Sequence, residues 1–233
     1  YAATGAGAFT LSENGLYTVE AWTAFLNRLN DHGVFTVSRW FAPGHTDETG
    51  RMVSLGISTL MSRGAKRPGD HLFVGSCDAV ATLIISPSPL SPDDIRVLRN
   101  TCKEMQYDVI VSPDMEPQSE VFRRTLPAKN HDHPSQFTST LDLNLTPSTD
   151  ESPFFFNLLP FSNPSKMMRV YKNTLEKSGR GVASGNIQAS VALIMILVIA
   201  ALLVLVTIIL PLLATARGLD KSLLTGGTIY FAL

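Results

Sequence analysis

The sequence predicts an α/β domain followed by a transmembrane α-helix. Three observations carry that prediction. First, the stretch from Ile187 to Ala216 contains no charged residue, and its centre, Val191 to Leu210, is apolar everywhere except Thr207. A hydrocarbon core of roughly 30 Å needs about 20 helical residues to cross it, and a helix satisfies its own backbone hydrogen bonds in lipid. Second, a segment of helical period, a glycine and a β-branched or aromatic run follow one another, which is the cadence of an α/β sheet. Third, charge divides the chain. Residues 1–163 carry 12 basic and 18 acidic side chains, whereas residues 164–233 carry 7 basic and 2 acidic ones. An acidic soluble part argues against nucleic acid as a partner. A basic segment beside an apolar helix suits the lipid bilayer.

Tyr1 to Phe9 is small and glycine-rich and predicts a loop. From Thr18 to Asn30, Trp22, Phe25, Leu26 and Leu29 share one helical face, and Gly33 is expected to end that helix as a left-handed cap. Val34 to Trp40 (VFTVSRW) predicts a strand. A second helix is expected over Asp47 to Arg63, with Met52, Val53, Ile57, Leu60 and Met61 inward and Gly64 closing it. His71–Val74 and Ala79–Ser86 predict two strands around a turn at Gly75–Asp78. Ser91-Pro92-Asp93-Asp94 is a helix start, with a capping serine, proline at the first position and acid in the first turn. Ile95, Leu98, Cys102 and Met105 line the face that helix should bury. Tyr107–Val111 predicts a further short strand, and Gln118–Arg124 a short helix.

Pro113 to Ser162 holds seven prolines and is expected to be mostly irregular. Asn163-Pro164 starts a helix carrying Lys166, Arg169, Lys172 and Lys177. The domains expected are therefore residues 1–163, a basic juxtamembrane helix and linker over 164–186, a transmembrane helix over 187–216, and the start of a second one over 223–233. Pro211 is placed to kink the last turns of the span. Five basic residues precede the span and two follow it, which puts the soluble domain in the cytoplasm by the positive-inside bias. Cys77 and Cys102 are the only cysteines, which fits a reducing compartment. The chain opens at Tyr1 rather than Met and closes inside an apolar stretch, which predicts an internal piece of a longer protein.

No stretch matches a P-loop, a zinc-ligand spacing or a nucleophile elbow. His131-Asp132-His133 lacks a third ligand at helical or hairpin spacing, so a solvated loop is expected there and no metal. Asn144-Leu145-Thr146 is formally a glycosylation sequon, discounted by the cytoplasmic side inferred for it.

Four stretches carry a resemblance: Gly7-Ala8-Phe9, Leu11-Ser12-Glu13-Asn14, Leu16-Tyr17-Thr18-Val19-Glu20 and Arg39-Trp40. A fifth, Thr149-Asp150-Glu151-Ser152-Pro153-Phe154-Phe155-Phe156, looks like an acidic "TDD-x-P" segment that precedes a membrane span. In this order they resemble the membrane-integrated spermidine synthase-like proteins. In that family a Rossmann-type domain, related to aminopropyltransferases and methyltransferases, is fused to transmembrane helices. The resemblance implies that this chain is the C-terminal part of a Rossmann-like doubly wound domain. It implies S-adenosylmethionine or its decarboxylated form as co-substrate and a small amine as acceptor. The glycine-rich cofactor loop and the catalytic aspartate would lie upstream of Tyr1. Family synthases have an acidic loop where Tyr1 to Ser12 has no acid.

Candidate substrate-binding residues are Glu13, Asn14, Tyr17, Asp150 and Glu151. Glu13 is placed to bind a substrate ammonium. Asn14 suits a turn or cap, and Tyr17 either stacks on a substrate or packs the helix onto the sheet. Asp150 and Glu151 either attract a cation or are solvated turn carboxylates. Tyr107 to Asp114 also looks like a Rossmann strand ending in an acid, which makes Asp114 an alternative catalytic candidate, although an accessory strand is the reading preferred. The function expected is a membrane-bound transferase moving an aminopropyl or methyl group; the alternative is a non-catalytic ligand-sensing module of a multi-span transporter.

Overall fold

The computed structural model describes residues 12–41, 47–126, 142–176 and 182–215. The stretch His131–His133 and the segment 223–233 lie outside them. The chain divides into two units at Ser190/Val191.

In the first unit, helix α1 spans Val19–Leu26. Thr18 caps it, its hydroxyl accepting from the Ala21 N–H at 3.1 Å. The helix ends sooner than its apolar spacing predicts, and Gly33 is not in the left-handed region. A side chain at Gly33 would come within 2.9 Å of the Leu29 Cβ, so close approach, not a cap, is what glycine serves there. Strand β1 (Phe35–Trp40) follows, then helix α2 (Asp47–Ser62), which Gly64 closes at φ +87°. The Ala65 N–H bonds back to the Leu60 carbonyl, as in a glycine-capped helix end.

A 3-10 turn (Pro68–His71) leads into β2 (Leu72–Cys77) and β3 (Val80–Ile85). The turn between them is Asp78-Ala79 rather than Gly75–Asp78. Asp78 adopts φ 50°, a conformation that aspartate tolerates better than most residues. Gly75 lies inside β2, where a side chain would meet the Cys102 sulfur at 3.4 Å. Helix α3 (Pro92–Glu104) starts with a full capping box between Ser91 and Asp94. Ile95 and Cys102 are buried under it, but Met105 is exposed, because the helix stops at Glu104 and Gln106 turns the chain at φ 59°. Strand β4 (Asp108–Val111), helix α4 (Glu120–Thr125) and helix α5 (Pro164–Glu176) complete the elements contained in this unit.

The sheet has the order β1-β3-β2-β4, and every ladder in it is antiparallel. This corrects the expectation of a doubly wound parallel sheet for the described strands. A two-residue turn between β2 and β3 forces them antiparallel, and β3 then inserts between β1 and β2. Since β1 and β2 are each antiparallel to β3, they run parallel to one another, joined through α2. The outer edge of β1 has no strand beside it among the described residues.

The core lies between the sheet and helices α1 and α2. Trp22 and Leu26 of α1 meet Met52, Val53, Ile57 and Leu60 of α2, with Leu72, Val74, Leu83 and Ile85 beneath. At Gly56 a Cβ would touch Leu72 and Ile85 at 3.4–3.5 Å, so α2 lies close on the strands. Helix α3 covers the other face only in part. There a cavity of about 620 Å³ remains, lined by Trp40, Phe73, Thr82, Ile84, Leu98 and Cys102 among others.

Helix α6 (Val182–Val204) begins inside the stretch expected to be a linker. Its first part belongs to the first unit, where Ile187 and Ser190 are buried. The second unit consists, among the described residues, of the remainder of α6, a π turn over Leu205–Ile209, and helix α7 (Leu210–Thr215). Ser190–Leu213 is 24 residues long, its most apolar 18-residue stretch has a mean hydropathy of 3.5, and it is long and apolar enough to cross a membrane. Pro211 cannot donate to the Thr207 carbonyl, and its ring crowds that oxygen. The π turn one residue before α7 is the local adjustment a proline requires in a helix. The Thr207 hydroxyl donates to the Leu203 carbonyl at 2.6 Å.

Candidate functional site

The described parts of the stretches that carry the resemblance, residues 12–20, Arg39-Trp40 and 149–156, come together near the carboxyl end of β1, while Gly7-Ala8-Phe9 and Leu11 lie outside the described residues. Two segments far apart in the chain, 14–20 and 146–157, are joined there. The Asn14 N–H donates to the Pro153 carbonyl at 2.8 Å and the Val19 N–H to the Ser148 carbonyl at 3.0 Å. The Asp150 N–H donates to the Glu20 carboxylate at 3.0 Å. The Tyr17 ring stacks on Phe155 with centroids 4.6 Å apart and meets the edge of Phe156 at 5.8 Å. The Trp22 indole N–H donates to the Leu16 carbonyl at 3.0 Å and so fixes the turn before α1.

Two arginines hold this junction to the sheet. Arg39, at the end of β1, donates from Nε (3.1 Å) and Nη2 (2.7 Å) to a single oxygen of Glu48 in the first turn of α2. Its guanidinium lies over the Phe156 ring at 4.6 Å and the Tyr17 ring at 5.7 Å. Glu48 is buried, whereas the Arg39 side chain keeps 20% of its surface in solvent. Arg51, one turn along α2, is buried with no carboxylate partner among the described residues. It donates to the carbonyls of Thr146 (3.0 Å), Phe155 (2.8 Å) and Asn157 (2.5 Å). Burial pulls its pKa down to about 10, so it remains charged at neutral pH. Arg51 thereby fixes the chain on both sides of the turn at 149–152.

Of the residues singled out from the sequence, Asn14 and Tyr17 are half-buried in the junction, and Asp150 is tied to it through its backbone. The side chains of Glu13, Asp150 and Glu151 face solvent. Asp114 lies elsewhere. Strand β4 runs antiparallel to β2, so its carboxyl end sits at the opposite end of the sheet from those of β1 and β2. The Ser112 hydroxyl donates to the Asp114 carboxylate and Arg99 pairs with it at 2.7 Å. These bonds hold its pKa below the ordinary value, the Ser112 bond most. Asp114 thus ties the turn after β4 to α3.

Arg39, Glu48 and Arg51 hold the junction and are not among the candidate site residues, Arg39 entering only within a stretch that carries the resemblance. The signal was present: Arg51 immediately precedes Met52 and Val53, which face the core, and a cation so placed needs buried acceptors. The identity of those acceptors, backbone carbonyls some hundred residues away, is not written in local pattern. Two further hydroxyls, Ser54 and Ser148, are buried with no hydrogen-bond partner. One lies a turn beyond Arg51 and the other two residues beyond Thr146.

Among the described residues no group of three or more histidine, cysteine or carboxylate side chains is arranged to hold a metal ion. Comparison with protein-family models, with curated proteins and with solved structures gives no match for this chain.

Proposed function

We propose that the chain is part of a membrane-bound, spermidine synthase-like transferase. It supplies the C-terminal portion of a Rossmann-like domain, followed by a helix that crosses the bilayer with the domain on the cytoplasmic side. The observation that carries this reading is the junction itself. The two segments on which the resemblance rests, separated by more than a hundred residues, are hydrogen-bonded and stacked together at the carboxyl end of β1. Strands β1 and β2 run in the same direction and are joined through α2, with β3 antiparallel between them.

The reaction is transfer of an aminopropyl or methyl group from an S-adenosyl sulfonium to a small amine. The amine nitrogen forms a bond to the carbon, the carbon–sulfur bond breaks, and a proton leaves the nitrogen. Among the described residues no glycine-rich turn joins a strand to a helix, so they offer no backbone cradle for the adenosyl group. They fit the wall of the acceptor pocket instead. The half-buried Tyr17, backed by the buried Phe155 and Phe156, would be its apolar side, and the exposed Glu13, Asp150 and Glu151 an acidic rim that draws a cationic amine inward. The work of such a wall is to position the amine and exclude water.

The second reading, a ligand-sensing module of a transporter, is favoured by one feature: the perturbed carboxylates, Asp94 and Asp114, both lie outside the junction. Calorimetric titration of the full-length protein in detergent separates the two. A transferase binds S-adenosylmethionine or its decarboxylated form, and absence of binding to both removes the transferase reading.

A further inference from the structure

Helix α5 presents an exposed face that is cationic and partly apolar. Ser165, Met168, Arg169 and Lys172 follow one another at i, i+3, i+4 and i+7, and all four are exposed. Val170, on the opposite side of the helix, is buried. Met168 keeps 53% of its surface in solvent, and Phe161, in the turn before the helix, keeps 44%. Arg169 pairs with Asp142 at 3.2 Å, yet 61% of its side chain stays exposed. An ion pair so open to water is weak.

Two observations indicate what meets this face. The first is charge. Residues 1–163 hold 12 basic and 18 acidic side chains, whereas residues 164–181 hold five basic ones and a single acid. An anionic surface therefore repels most of the first unit and attracts this helix. The second is the chain itself. Only 13 residues separate Glu176 from Ser190, where the stretch able to cross a membrane begins. A tether that short keeps the face at high effective concentration beside the bilayer, so a few weak contacts suffice. The cytoplasmic leaflet is anionic, and each Lys or Arg close to it strengthens association about fivefold.

We propose that this face of α5 docks on anionic lipid headgroups. Arg169 and Lys172 meet lipid phosphate oxygens, and Phe161 and Met168 enter the boundary between headgroups and acyl chains. The proposal rests on the spanning reading of Ser190–Leu213 and not on the transferase chemistry.

The test places a nitroxide at Met168→Cys in a Cys77→Ser background of the full-length protein, Cys102 being buried. The protein is reconstituted in phosphatidylcholine alone and with about 30% phosphatidylserine, and integration is checked by carbonate extraction. The expected result is a probe open to oxygen and shielded from a water-soluble nickel chelate in the anionic bilayer only, with the shielding lost at about 1 M salt. Arg169→Gln with Lys172→Gln should abolish it. Asp142→Asn removes the same ion pair without removing a cation, and it should leave docking intact or strengthen it. Loss of docking in Asp142→Asn as well would make the pair, not lipid, the cause and overturn the proposal. A probe open to nickel in both bilayers overturns it while the span stands. So does equal immersion in both bilayers, or shielding from both reagents, which marks a protein contact. A chain released by carbonate removes the spanning reading and this proposal with it.

Discussion

Replacing Arg51 by methionine keeps most of the side-chain volume and removes the cation that holds residues 146–157. Three charge-assisted hydrogen bonds are lost, at about 1.5 kcal/mol each or more, which is roughly 4–5 kcal/mol. Against that, the guanidinium no longer has to be buried. A pKa lowered to about 10 corresponds to about 3 kcal/mol of relief. The three carbonyls it served are left without their donor, and those that water cannot reach cost about 1–3 kcal/mol each. The net expectation for Arg51→Met is a loss of about 3 kcal/mol, or roughly 6–12 °C in Tm for a chain of this size. Thermal unfolding of the detergent-solubilised protein, followed by near-ultraviolet circular dichroism, measures it. The Tyr17–Phe155 stack should loosen along with the loss of stability, because the Phe155 carbonyl is one of the three. A variant within about 1 kcal/mol of the parent would refute the view that Arg51 clamps this segment.

Further outcomes follow from the same contacts. Tyr17→Phe should be neutral, since no bond to its hydroxyl is formed among the described residues, while Tyr17→Ala should cost about 2 kcal/mol through the lost stack, read by the same melt. Ser148→Ala should leave stability unchanged or raise it slightly, because it removes a buried hydroxyl that has no partner. Ser91→Ala should cost about 1 kcal/mol as a lost helix cap. The bonds from Ser91 hold the Asp94 pKa below 3.8, so the stability they give is complete above that pH and is lost as pH falls through the lowered value. Ser91→Ala should flatten that part of an acid titration of stability. Val198→Arg, at the centre of the apolar helix, should reduce membrane integration at a cost of about 2.5–3.5 kcal/mol, measured by carbonate extraction or a glycosylation reporter.

Local chemistry was the most legible part of the structure. Ser91-Pro92-Asp93-Asp94 specified a capped helix, Gly64 a left-handed helix end, and the uncharged run after Ile187 an apolar helix long enough to span. Each depends on a few adjacent residues, and each appears where it was expected. The misplaced features depend on neighbours distant in sequence. Gly75 has turn-like chemistry but lies in a strand because Cys102 packs against it. Gly33 is dictated by the Leu29 side chain, not by backbone sign. Met105 has the spacing of a core residue and is exposed, because the helix stops one residue earlier. Strand direction was the least legible, since the insertion of β3 between β1 and β2 is a pairing decision that no local pattern records. At the candidate site, Tyr17 packs at the loop–helix entry, and its partner Phe155 lies in the second stretch of interest. Their stacking was not foreseen, and neither was the clamp by Arg51, whose acceptors are backbone atoms and leave no mark in the sequence.

In the transferase reading, the junction of residues 14–20 with 146–157 lines a ligand pocket. Amide hydrogen exchange of the full-length protein, with and without S-adenosylmethionine and a small amine, measures this. Added protection is expected in three places together: the turn before α1, the end of β1 at Arg39-Trp40, and the segment around Pro153–Phe156. Protection confined to other elements, or none at any site under saturating ligand, would contradict it.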